Sequence, residues 1–316
     1  FRRVLFRSVH ARLLRPYDAA RADVVLTAAR AAWSALRRQP QWPAENERYR
    51  NPAGTAAGEY ADESTVDNYL WAAAELYRTT GELGYHNAFL ARLDHVKMDP
   101  TAPVSYRNFL LAALWAYWKA PHEHKDRRAM HRTAKTIVAG ADWRVRMADA
   151  NAYRAPVHHH APTLGWGTFA HAPVAILTLL KAYAITGDGR YIDWSQRMPG
   201  PQLGANPQGL SYVTGIGHAS ARYPTSKLSE TVYGGRTLPG IPVNGPHYHL
   251  PELWPAMKAV NQGFAPNSKA SPFPPLRRYV DARVLPPMSE PTVARYAQLA
   301  IAYGLLRPNG LAGCRP

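Results

Sequence analysis

Apolar side chains recur at helical spacing from one end of the chain to the other. Residues 18–38 set Val25, Ala29, Ala32, Trp33 and Leu36 on one face, the three-and-four rhythm of an amphipathic helix. Residues 65–80 repeat it with Val66, Tyr69, Leu70, Ala73, Leu76 and Tyr77, and Gly81 follows as a C-terminal stop. Residues 105–118 carry Tyr106, Phe109, Leu110, Ala113 and Tyr117 in register, and 289–306 carry Val293, Tyr296, Ala297, Ala300 and Tyr303. Residues 168–186 are apolar nearly all round, which predicts a fully buried helix. A more polar helix is expected over 124–149 and a further one over 188–203. Between 204 and 288 Pro and Gly are dense and the periodicity fades. A loop region of that length inside a compact domain usually carries function. No stretch alternates with period two over several strands, and no fixed-period repeat is present. The pattern predicts an all-α fold of helices paired through loops, with one long loop-rich segment before the last helix. A toroid of helical hairpins, a bundle and a solenoid all satisfy it.

Composition narrows this only a little. The 316 residues are 46% hydrophobic, enough for one large helical core. Nine Trp and eighteen Tyr suit either core packing or a cleft that stacks on sugar rings. The formal net charge is +16, which admits an acidic partner, nucleic acid or an anionic polysaccharide. The charge is spread along the chain, without a long Lys/Arg run or a nucleic-acid motif, so a nucleic-acid partner is not expected. Cys314 is the one cysteine and forms no intrachain disulfide. No run of about 18 apolar residues marks a transmembrane helix, so no membrane partner is expected, and no signal peptide is visible. The chain opens FRRVLFRS, without Met. That string resembles the in-frame translation of a common sequencing-adapter oligonucleotide, so residues 1–8 are expected to be an artefact. Removing Arg2, Arg3 and Arg7 leaves 16 − 3 = +13. A genuine basic, apolar helix is the alternative.

Four stretches carry more specific information. Asp67 to Gly81 reads DNYLWAAAELYRTTG. Trp166-Gly167 precedes the apolar helix and Thr186-Gly187-Asp188. Leu203 to Gly217 reads LGANPQGLSYVTGIG, where four Gly and a Pro permit tight turns and close backbone approach. Tyr279 to Ala297 reads YVDARVLPPMSEPTVARYA, with an aromatic two before Asp281, Glu290 nine after it, and small residues at Thr292 and Ala297. Gly240 to Pro246, GIPVNGP, is a fifth, shorter match.

Taken together, over roughly residues 18–306, these stretches resemble glycoside hydrolase family 9. The resemblance implies an (α/α)6 toroid of the six-hairpin glycosidase type, of which residues 9–308 would be a C-terminal part and 309–316 a tail. It implies hydrolysis of β-1,4-glucan-type chains with inversion, no cofactor and no metal, a polysaccharide or oligosaccharide partner, and an extracellular or periplasmic location. Inversion needs two carboxyl groups about 6.5–9.5 Å apart, one to protonate the leaving oxygen and one to activate water. By resemblance Glu290 is the general acid and Asp281 a supporting carboxylate. Tyr212, Trp166, Lys227, Tyr279 and His249 are the expected substrate contacts. The family's base lies in an Asp-Ala-Gly-Asp stretch that this sequence does not contain. The base is expected upstream, and the chain alone is expected to be inactive. Glu290 is placed at a helix start, whose dipole would lower its pKa, so a raised value would need burial or a neighbouring carboxylate. Where the family has Pro-His-His-Arg this chain has Pro224, Thr225, Ser226 and Lys227, and Lys does not replace a bidentate or stacking Arg. A non-catalytic glycan-binding relative is therefore the alternative, with an unrelated helical scaffold third. His158, His159 and His160, and His247 with His249, are read as cleft-lining or solvated rather than metal ligands, because no Cys or carboxylate stands at matching spacing.

Overall fold

The computed structural model describes residues 2–38, 50–55, 64–102, 108–121, 123–156, 168–247, 255–264, 274–307 and 310. Trp166, His249 and His158 to His160 lie outside them. The chain forms two compact units, Phe1–Ala139 and Gly140–Pro316. Among the described residues it is helical, with no strand beyond two isolated bridges.

In the first unit α1 (Arg2–Leu14) is followed by α2 (Ala19–Arg37). Asp18 starts α2 by accepting the Arg21 N–H at 2.9 Å, which satisfies one of the end donors that a helix cannot pair internally. Ala22, Leu26, Ala29 and Trp33 are the buried face of α2. That face is offset from the predicted one, and Val25, Ala32 and Leu36 lie half-buried beside it. Trp33 packs on Tyr69 of α3 (Val66–Thr80), centroids 4.8 Å apart. α3 ends at Gly81 in the left-handed conformation, φ 75°, with its N–H on Tyr77 O, as Gly permits without a Cβ clash. α4 (Leu83–Leu93) is a helix the periodicity reading passed over; it buries Tyr85, Phe89 and Leu93. α5 (Leu110–Trp118) begins later than predicted. The N–H of Phe109, just before it, donates to the buried Asp67 carboxylate at 2.6 Å. Phe89 and Tyr117 stack almost parallel at 4.4 Å, and the Asp126 N–H donates to the Tyr117 hydroxyl at 2.8 Å. Arg12 ties α1 to α3 through Glu75 and Thr79, both at 2.8 Å. α6 (Arg127–Asp149) runs through the boundary between the units.

In the second unit α7 (Ala172–Thr186) is the buried helix expected from its composition, with Val174, Ile176, Leu179 and Leu180 inside and Gly187 at φ 72° as its stop. α8 is shorter than predicted, Arg190–Arg197, because turns take over from Met198. Among the described residues the loop-rich stretch carries the short α-helices α9 (Lys227–Thr231), α10 (Pro255–Phe264) and α11 (Pro286–Ser289) before the closing α12 (Val293–Leu306). The predicted face of α12 is only partly the packed one: Tyr296 and Tyr303 are half-buried, and the Tyr303 hydroxyl donates to buried Gln202 at 2.8 Å. Val293 is 85% exposed and Ala297 and Ala300 face solvent, whereas Leu299 and Ala302 are buried. Apolar or small residues surround this helix, so periodicity alone does not choose the side that packs. Under the loops lies a separate core of Phe169, Tyr212, Val243, Tyr279, Leu285 and Met288. Among the described residues no helix is long and apolar enough to cross a membrane.

Candidate active site

The LGANPQGLSYVTGIG loop is held from inside by Asn206. Its amide donates to Pro201 O at 2.8 Å and Leu210 O at 2.7 Å, and its carbonyl accepts the Gln208 N–H at 3.0 Å. Those bonds deliver Tyr212 into the loop core. The Tyr212 ring stacks on Phe169 at 4.9 Å and meets Tyr279 edge-on at 4.9 Å. Its hydroxyl donates to Gln208 Oε1 at 2.6 Å. No part of Tyr212 reaches solvent, so it is an organising core residue here and has no exposed surface for the substrate contact expected of it. Burial pushes the Tyr212 phenol well above its ordinary value, because the charged form has no water to stabilise it. Tyr279, also buried, is pushed up in the same way, with the Asp281 carboxylate adding to the effect.

Asp281 is fixed by three donors. The consecutive N–H groups of Arg222 and Tyr223 reach its two oxygens at 2.7 and 3.1 Å, and the Tyr279 hydroxyl donates at 3.1 Å. A carboxylate so engaged orients the chain around it; its oxygens are acceptors already in use. The segment it captures continues into Pro224 and Thr225. The Thr225 N–H donates to Ser289 O at 3.0 Å. Its hydroxyl donates to Arg283 O at 2.7 Å and lies 2.7 Å from Ser289 Oγ. Asn244 Nδ2 donates to Pro286 O at 3.0 Å and the Gly245 N–H to Met288 O at 2.9 Å. The buried turn Pro286–Ser289 is thus pinned from two loops, and Glu290 is the next residue.

Glu290 is not at a helix start. It caps the C-terminal end of α11 in an extended conformation, φ −74° and ψ 128°, two residues before Thr292, the N-cap of α12. Pro291 occupies the intervening position and disfavours the helical conformation in the residue before it, which breaks the single helix expected over 289–306. Glu290 is half-buried, beside fully buried Ser289. Lys227, expected to touch substrate, opens α9 with its side chain 86% exposed and its ammonium 2.9 Å from Glu230. His247 is buried, its main-chain N–H donating to Arg278 O at 3.0 Å. Among the described residues no group of three or more His, Cys, Asp or Glu side chains is placed to hold a metal ion.

The structure therefore brings together Tyr212, Tyr279, Asp281 and the peptide leading to Glu290. It also draws in Thr225, Ser289 and Asn244, which sequence reasoning did not select. The Thr225–Ser289 contact spans 64 residues, and no local pattern announces it. An all-α chain with a loop core built around an aromatic-x-Asp…Glu segment fits the six-hairpin glycosidases. Residues 7–303 match the family model for Glycosyl hydrolase family 9, and the chain belongs to that family. It is 30% identical over 205 residues to the xyloglucan-specific endo-beta-1,4-glucanase BoGH9A of Bacteroides ovatus, covering 64% of this chain and 34% of that protein. It is 25% identical over 242 residues to endoglucanase D of Acetivibrio thermocellus, covering 77% and 37%. The crystal structure of the family 9 endoglucanase J30 superposes with a TM-score of 0.84 at 25% identity, over 97% of this chain and 54% of that one. The fold class is accordingly that of the (α/α)6 glycosidases, and the chain spans about half of this solved neighbour and about a third of the two relatives.

Proposed function

We propose that this protein hydrolyses glycosidic bonds in a cellulose-like β-glucan with inversion at the anomeric carbon, and that Glu290 is the general acid. The observation that carries the reading is the pinning of the turn before Glu290 by Thr225 and Asn244, next to a carboxylate, Asp281, held by three donors. A proton donor must be held to within a fraction of an ångström of its target to be effective, and this arrangement supplies a fixed base for the side chain. The printed names of two relatives, a xyloglucan-specific endo-beta-1,4-glucanase and an endoglucanase, support a β-1,4-glucan as substrate. The sequence holds no Asp-Ala-Gly-Asp stretch, so the base is assigned to no residue here. No cofactor is needed for acid/base hydrolysis. A polymeric substrate favours an extracellular or periplasmic location.

The second reading is a glycan-binding relative without hydrolysis. Thr225 is used as a tether and Lys227 faces solvent on Glu230, so neither replaces the family's His and Arg contacts. Release of reducing ends from a soluble β-1,4-glucan by the complete gene product separates the two. Hydrolysis that drops about 10²–10⁴-fold in Glu290→Gln with binding retained is the expected result. Unchanged hydrolysis in that variant removes Glu290 from the role, and binding without hydrolysis in the wild type favours the second reading.

A further inference from the structure

The segment from Arg222 to Lys227 includes the stretch where the family pattern has two histidines and an arginine, and most of its side chains are already engaged. Thr225 is the tether to Arg283 O and Ser289 Oγ. Ser226 caps α9, its hydroxyl accepting the Ser229 N–H at 3.3 Å. Lys227 is paired with Glu230, and Pro224 is buried. That leaves Arg222 and Tyr223, and of the two only Tyr223 offers a flat apolar surface. Tyr223 is 50% exposed, whereas Tyr212 and Tyr279 are buried. It is also held in place. Its N–H donates to Asp281 at 3.1 Å, and the Arg283 guanidinium lies over the ring, 5.9 Å from its centre. That guanidinium is itself anchored on Gly235 O at 2.6 Å. Two residues span at most about 7 Å of chain, so Tyr223 stands close to the tether at Thr225 that fixes the turn before Glu290. Two more exposed apolar side chains border the same anchors: Val284, next to Arg283, and Tyr233, two before Gly235. A pyranose ring presents C–H groups on its faces. An exposed aromatic ring that is positioned before the ligand arrives packs on them with little further ordering to offset.

We propose that Tyr223 is a stacking platform for a sugar ring of the bound β-1,4-glucan, a contact supplied just ahead of the stretch in which the family's His and Arg contacts are lost. The proposal rests on the glycan-hydrolase reading of the site and adds a substrate-contact residue to it. The test is a calorimetric titration of the 316-residue chain with cellohexaose, a soluble neutral β-1,4-glucan oligosaccharide. The variants are Tyr223→Phe, which keeps the flat ring, Tyr223→Leu, which keeps apolar bulk without it, and Tyr223→Ala. The control is Tyr153→Ala, which removes a tyrosine of similar exposure, 40%, from the turn after α6. The affinity is expected to fall roughly tenfold in the Ala and Leu variants, the scale of losing one well-packed apolar contact, and to stay within about twofold of wild type in the Phe variant and the control. Thermal unfolding of the Ala and Leu variants is expected to match wild type, because the Asp281 clasp uses the main chain. Wild-type affinity in Tyr223→Ala or in Tyr223→Leu overturns the proposal and leaves the glycan reading intact. So does a loss in Tyr223→Phe as large as in Tyr223→Ala, since the hydroxyl and not the ring face then makes the contact, and so does an equal loss in the Tyr153 control. Absence of cellohexaose binding by the wild type overturns it together with the glycan reading.

Discussion

Thr225 shows how one residue can change its employment within a site. In the family pattern its position belongs to a run of histidines and arginine; here a short hydroxyl side chain reaches Arg283 O and Ser289 Oγ instead. Thr225→Val keeps the shape and removes the hydroxyl. It is expected to destabilise the second unit by about 1–3 kcal/mol, the usual scale for stranding buried hydrogen-bond partners. Thr225→Ser is expected to recover most of that in a denaturant titration. Equal stability in Val and wild type would show that the tether carries no weight. Residue types were also where the sequence misled. Tyr212 has the chemistry of a sugar platform, but its environment is decided by Phe169 and Tyr279, residues 43 and 67 positions away, and nothing local to the SYVTGIG run reports that it is enclosed.

At the scale of elements, what was legible followed local rules. α2, α3 and α7 were visible because their apolar spacing is strong and their ends carry Asp18, Gly81 and Gly187. α4 was passed over although it buries Tyr85, Phe89 and Leu93 in step; it is a short helix of 11 residues whose N-cap, Glu82, makes no side-chain capping bond, so no start signal marks it. The α11–α12 break depended on Pro291 outweighing a continuous apolar rhythm. The loop core was legible only as a departure from periodicity; its order comes from long-range bonds such as Asn244 to Pro286 O. Gly245 is the most constrained point of that core. Its φ is +78°, and a Cβ there would stand 2.5 Å from Phe169 Cδ2. Gly245→Ala is expected to cost about 2–5 kcal/mol, left-handed strain of about 1–2 kcal/mol added to overpacking of about 1–3 kcal/mol. Thermal unfolding measures it, and a melting temperature within a degree of wild type would refute the contact.

At the scale of the whole molecule, both units bury phenols that resist ionisation. In the first unit burial pushes Tyr117 up to about 12; in the second, burial and the Asp142 carboxylate push Tyr191 up to about 12. Unfolded, each would ionise near its ordinary value of 10.0. Between about pH 10 and 12 the unfolded chain therefore sheds protons that the folded chain keeps, so stability present below pH 10 is lost as pH rises through that window. Ultraviolet titration should show exposed tyrosines ionising first and the buried set only with loss of helical circular dichroism near pH 12. A single smooth titration centred near pH 10 with the helices intact would contradict it.

The capture of Arg222 and Tyr223 by Asp281 has a consequence for how this lineage can vary. The donors are main-chain N–H groups, which nearly every amino acid possesses. The clasp is therefore blind to which side chains stand at 222 and 223, and only proline would undo it. Mutation can rewrite the side chains displayed at those two positions while the backbone stays where it is, which makes this short stretch a place where sequence is free to drift without endangering the fold.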